Sequence, residues 1–137
     1  MYPVELTIPM AKDLTNFGFS SLTSSDAVNE ALSQEEGTTL LVVNSVCGCA
    51  AANARPGAKI AIQNGKKPDN LFTVFAGVDR EATATAREHL LPYPPSSPSI
   101  ALFKDGKLVH FLERHHIEGR SAEIIAQNLV MAFDRYC

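Results

Sequence analysis

The chain has 137 residues, 45% hydrophobic and 20% charged, enough for one domain with a proper core and too short for two. A net charge of −3 argues against a nucleic-acid or other polyanionic partner. No apolar stretch approaches the ~20 residues that span a bilayer, and the opening Met1-Tyr-Pro-Val-Glu-Leu6 lacks the basic region and apolar core of a secretory signal, so a cytoplasmic protein with no membrane partner is expected.

In chain order, residues 4–17 carry apolar side chains at Leu6, Met10, Leu14 and Phe17, a helical spacing, with Pro9 restricting where the helix begins. Ser24, Ser25 and Asp26 offer N-caps for a helix through Val28 and Leu32 that Gly37 ends. Thr39–Asn44 is a continuous β-branched and apolar run, the mark of a strand buried on both faces. A helix from about Cys49 to Asn64 follows, which Pro56 should kink or split. Leu71–Ala76 reads as a second buried strand, and Asp79 as the cap of a helix over residues 80–91.

The loop Pro92–Pro98 has four prolines in seven residues and cannot join a sheet ladder. Ser99–Phe103 is a third strand, and the turn signal Asp105-Gly106 makes Leu108–Leu112 an antiparallel fourth. A last helix runs from about Ser121 to Asp134 with Ile124, Ile125, Leu129 and Phe133 facing inward. Strands alternating with helices imply a parallel sheet with right-handed crossovers, closed here by one antiparallel strand.

Chemistry concentrates at Cys47-Gly48-Cys49, between the first long strand and an Ala-rich helix. A thiol at a helix N-terminus faces unpaired N–H groups and the positive end of the helix dipole, which favour the nucleophilic thiolate. Residues i and i+2 lie close enough for a disulfide, and Gly48 lets the backbone bend between them. Such a small ring is strained, and strained disulfides exchange readily. Three cysteines in a cytosolic chain do not make a structural disulfide framework. Two buried structural cysteines are the plain alternative. Cys47, the first of the pair and at the strand–helix turn, is the expected nucleophile, with Cys49 the nearest resolving thiol.

Asn44, Ser45 and Val46 precede the pair and can offer donors to the thiolate, although Ser45 also suits a simple helix cap. Arg55 can bring positive charge, although a solvated surface position is the commoner fate of an arginine. Cys137 is a tail, a resolving thiol or an intermolecular one. A metal is not expected: Cys-x-Cys is tighter than the usual Cys-x₂₋₄-Cys ligand spacing, and His115 and His116 would point apart on a strand.

The element order, with paired cysteines after the first long strand, resembles the thioredoxin fold. Pro98, preceding Ser99-Ile-Ala-Leu-Phe-Lys-Asp-Gly106, stands where thioredoxin-like proteins place a cis-proline facing the cysteines; the resemblance implies a cis Ser97–Pro98 bond, with Ser97 and Pro98 forming the surface for a client backbone. The departures are Cys-Gly-Cys in place of Cys-x-x-Cys and the lack of any Trp. Val43-Asn-Ser-Val-Cys-Gly-Cys-Ala-Ala-Ala-Asn-Ala-Arg-Pro-Gly57, the Pro-rich loop, His115-His-Ile-Glu-Gly-Arg120 and Phe133-Asp-Arg-Tyr-Cys137 together resemble the bacilliredoxin family over essentially the whole chain.

That resemblance implies an α/β, thioredoxin-like single domain (1–137) with a central mixed four-stranded sheet, three strands parallel and one antiparallel, flanked by helices. Residues 1–36 would form a helical extension and 37–137 the core. It implies a thiol-disulfide oxidoreductase that removes bacillithiol, a small bacterial thiol, from protein mixed disulfides. Cys47 and Cys49 would be catalytic, and Asn44, Ser45, Gly48, Ser97 and Pro98 would bind substrate. No bound cofactor is implied; bacillithiol is the thiol co-substrate, and the partners are S-bacillithiolated proteins and a bacillithiol disulfide reductase. Disulfide isomerisation, or a redox-sensing module without catalysis, are the alternatives.

Overall fold

The computed structural model describes residues 2–137; Met1, within the expected domain span, lies outside them. The elements in chain order are α1 (Val4–Thr15), β1 (Ser20–Ser21), α2 (Ser25–Leu32), β2 (Thr38–Asn44), a π-helical segment (Ala50–Ala54), α3 (Arg55–Ala61), β3 (Asn70–Phe75), α4 (Arg80–Glu88), β4 (Ser99–Lys104), β5 (Lys107–Leu112), α5 (Arg114–Ile117) and α6 (Ala122–Tyr136). The strands form one mixed sheet in the order β1-β3-β2-β4-β5.

Every residue of β2 is buried, as its unbroken apolar run requires. Its side chains alternate between two cores. Leu40 and Val42 join Ala58 of α3 and Ile125, Leu129 and Phe133 of α6 on one face. Leu41 and Val43 join Val28 and Leu32 of α2 and Ala82 and Ala86 of α4 on the other.

The sheet differs from the expected one in count and sense. It has five strands, because β1 pairs parallel with β3 (Ser20 opposite Phe72); two exposed serines carry no apolar signal that would mark a strand. Residues 4–36 are therefore not an appendage: β1 completes the sheet, and Leu14 and Phe19 lie in the core. The reversed strand is β4, not β5. β4 pairs antiparallel with β2 (Ser99 opposite Val43), and the β4–β5 hairpin turns the chain back again. After α4 the Pro-rich loop delivers the chain to the end of the sheet where β2 finishes, so no parallel crossover is completed.

Local expectations also shift. Pro9 sits inside α1 instead of setting its start, and the carbonyl it leaves free belongs to the exposed Glu5, where water can reach it. Leu6 and Phe17 are exposed; Leu14 and Thr7 are the buried residues of α1. Ser24 caps α2 through Ala27 N–H (3.1 Å) and Ser121 caps α6 through Ile124 N–H (3.2 Å). Asp79 occupies the N-cap of α4, but its side chain makes no capping bond. Ile124 points outward, because α6 buries the face of Ile125, Leu129 and Phe133.

Candidate functional site

The helix after β2 begins with Cys47 at its cap: the Cys47 carbonyl accepts Ala50 N–H (3.1 Å) and Ala51 N–H (3.3 Å). The next turn widens into the π-segment, whose Arg55 N–H reaches back five residues to Ala50 O. Pro56 falls in the first turn of α3, where a missing N–H is tolerated, so the helix is split rather than broken.

This start brings the two sulfurs to 3.2 Å from each other, both half-buried. A disulfide needs ~2.04 Å, so closure takes an approach of only about 1 Å. The environments of the two thiols diverge. Burial pushes Cys47 up, but hydrogen bonds from the Ser45 hydroxyl (3.2 Å), the Cys49 thiol and the Ala50 and Cys49 amides outweigh it and hold its pKa below the ordinary thiol value. Cys49 is pushed up by burial and by its neighbour Cys47, against the opposing charge of Arg114. The two shifts run in opposite senses, favouring the thiolate at Cys47 and the protonated thiol at Cys49. The Cys49 thiol also reaches the Glu118 carboxylate (3.8 Å), which is ion-paired with Arg114.

Asn44 does not face the sulfurs. Its side-chain oxygen accepts Ser45 N–H (2.9 Å) and Arg55 Nη1 (3.0 Å), and its amide donates to Met10 O (3.2 Å). Arg55 is not at the surface: it is 4% exposed. Its Nη1 donates to Ser45 O (3.1 Å), and its Nε pairs with Asp13 (3.0 Å), which also holds Lys59 at 2.6 Å. Arg55 thereby fixes the loop that presents Cys47 without touching the thiols. Gly48 has no positive φ, and a Cβ there would meet nothing within 4 Å, so open space flanks the thiol pair. Ser97–Pro98 is a cis peptide, and it leads directly into β4 at the end of β2. Ser97 lines the cleft beside Cys47, its carbonyl accepting Arg114 Nη1 (3.2 Å).

Cys137 is not brought to the site. It lies against Thr38, at the start of β2, whereas Cys47 follows its end. Seven residues of strand separate them, about 20 Å. His115 and His116 stand on the single turn of α5 rather than on a strand, with ring centroids 4.0 Å apart. With Glu113 they bring three donor atoms within 4.8 Å. However, His116 Nδ1 accepts Glu113 N–H (3.0 Å), which leaves its proton on Nε2 and no lone pair for a metal. The residues missed by sequence reasoning are Arg87, Arg114, Glu118 and Asp13; Glu118 lies within the His115–Arg120 segment but nothing there marks it as a site residue, the other three carry no motif, and each reaches the site or its support from a distant element.

A thiol pair at the head of the helix after a central strand, with a cis-proline leading into the neighbouring strand, is the architecture of a thioredoxin-like thiol oxidoreductase. Solved structures agree on the fold. The chain superposes on mitochondrial thioredoxin 3 of Saccharomyces cerevisiae with a TM-score of 0.58 at 19% identity, covering 90% of this chain and 98% of that one. It superposes on the thioredoxin of Malassezia sympodialis with a TM-score of 0.57 at 14% identity, covering 87% and 90%. A family model described as disulphide isomerase matches residues 2–137, and the chain belongs to that family. Relatives named bacilliredoxin are 59% identical in Cytophaga hutchinsonii (98% of each chain) and 53% identical in Salinibacter ruber (99% of this chain, 81% of that one).

Proposed function

We propose that this protein removes bacillithiol from protein mixed disulfides in the cytoplasm through Cys47 and Cys49. The observation that supports the reading most directly is the 3.2 Å sulfur pair whose members are shifted in opposite senses. The Cys47 thiolate attacks the bacillithiol sulfur of the mixed disulfide. A bond forms between Cys47 and bacillithiol, the bond to the client breaks, and the client leaves as a thiolate that takes up a proton. Cys49 then loses its proton, attacks the Cys47 sulfur and releases bacillithiol, leaving a Cys47–Cys49 disulfide. Two electrons from bacillithiol, itself kept reduced by its disulfide reductase, restore the dithiol. Bacillithiol is a co-substrate here and not a resident cofactor. The cis Ser97–Pro98 edge supplies the surface for the client chain.

The test is mass spectrometry of the reduced protein after exposure to a bacillithiol-modified client, beside a glutathione-modified one. Transfer of bacillithiol to Cys47 with release of reduced client is expected. Cys49→Ala should accumulate that adduct, and Cys47→Ala should form none. Failure of transfer from the bacillithiol client, with thiols open to alkylation, overturns the reading. Turnover of scrambled disulfides in its place would establish isomerisation, the activity in the family's description.

A further inference from the structure

Beside Cys47 lies a cleft of about 270 Å³, lined among others by Tyr2, Gly77, Arg87, Ser97 and Arg114. Two arginines line this small space, and the sulfur chemistry described above uses neither of them directly. Arg114 is anchored: Nε pairs with Glu118 and Nη1 donates to Ser97 O (3.2 Å), while its Nη2 has no protein partner among the described residues. Arg87 is not anchored. No carboxylate pairs with it among the described residues, and its Nε is buried without a hydrogen-bond acceptor. One turn earlier on α4, the buried Thr83 hydroxyl is equally unpartnered. Buried donors left unmade are unfavourable, and native proteins keep few of them. Tyr2 walls the cleft by lying over Gly77, whose φ is +84° and where a Cβ would come within 2.9 Å of the ring.

We infer that Arg87 and Arg114 form an anion subsite that seizes a carboxylate of the low-molecular-weight thiol as its sulfur meets Cys47. The guanidinium fork matches a carboxylate's two oxygens, and a charge-assisted bond of this kind is stronger than a neutral one. The cleft adjoins Cys47 and, at about 270 Å³, has room for the small thiol whose sulfur Cys47 takes up. Holding one end of the thiol orients its sulfur towards Cys47 and leaves the client's sulfur to depart. The inference rests on the reading that Cys47 takes up a small thiol.

The experiment compares rates of exchange of the reduced full-length protein with two small disulfides, one of mercaptosuccinate, which carries carboxylates, and the neutral 2-hydroxyethyl disulfide. The ratio of the two rates cancels any general change in Cys47 reactivity. Arg87→Gln should lower the ratio about tenfold or more, and Arg114→Gln should lower it likewise. In wild type the ratio should also fall as salt rises from about 0.02 to about 0.5 M, a measurement that needs no variant to fold. A ratio unmoved by Arg87→Gln, or by salt, overturns the subsite. A ratio that depends on Arg87 and salt, in a protein that takes nothing from a bacillithiol-modified client, keeps the subsite and overturns bacillithiol as the co-substrate.

Discussion

Ser45 is the residue on which the Cys47 thiolate leans most. Its hydroxyl is the first among the groups that lower the Cys47 pKa, and the same oxygen accepts Cys47 N–H at 3.4 Å. Ser45→Ala removes a donor from a partly desolvated sulfur, so burial regains ground and the pKa rises. Iodoacetamide labelling of Cys47 against pH should move to higher pH, and the thiolate fraction at neutral pH should fall, by up to about tenfold if the midpoint moves by about one pH unit. A profile unchanged in Ser45→Ala would assign the lowering to the Cys49 thiol and the helix amides. Asp13 shows the same balance in a carboxylate. Burial alone would raise it, but the hydrogen bonds and charges of Lys59 and Arg55 hold it below 3.8. A depressed carboxyl contributes stability that is fully present above the unfolded value and is lost as pH falls through the folded one. The melting temperature of Asp13→Asn should therefore lie below wild type at pH 7, and the gap should close below about pH 4. A gap that stays constant to pH 3 would mean that Asp13 acts by packing, not by charge.

Among the elements, α3 packs tightly on α6. A Cβ at Gly57 would sit 2.7 Å from Ile125 Cγ2 and 3.2 Å from Ala122 O. Ile125 is buried in the main core and cannot swing away. Gly57→Ala should destabilise by about 1–3 kcal/mol in urea unfolding despite its better helix propensity, because overpacking outweighs the propensity gain. Stabilisation by this substitution would show that α6 can slide outward. Gly57 also marks where the sequence was readable and where it was not. β2, the thiol pair and the cap at Ser24 were legible because each depends on neighbours in the chain: an apolar run, a spacing of two, a hydroxyl before a helix. The sense of β4 was not, since periodicity states that a strand exists but not from which end the chain enters it. Ser20 and Ser21 became a strand through pairing with β3, which no local preference announces. Arg55 read as a surface residue because its three partners, Asp13, Asn44 and Ser45, come from two other segments of chain.

At the scale of the whole molecule, the sheet gives the protein two poles. β2 ends, β4 begins and β5 ends at one pole, which gathers Cys47, Ser97 and Arg114. α6 starts near the same end, where Asn53 of the π-segment bonds Arg120 O, and carries the chain away over 15 residues, about 22 Å of helix. Its terminus places Cys137 against Thr38 at the other pole. Strand and helix lengths thus agree on a separation of roughly 20 Å, several times the 4.4–6.8 Å between α-carbons that a disulfide allows. Resolution of a Cys47 adduct by Cys137 of the same chain would require α6 to detach, exposing the core face of Ile125, Leu129 and Phe133. Cys137→Ser should therefore leave the rate of exchange at Cys47 unchanged, and oxidation of the wild-type monomer should yield the Cys47–Cys49 bond with Cys137 still open to alkylation. A Cys47–Cys137 peptide recovered from oxidised monomer would show that α6 leaves the sheet during turnover.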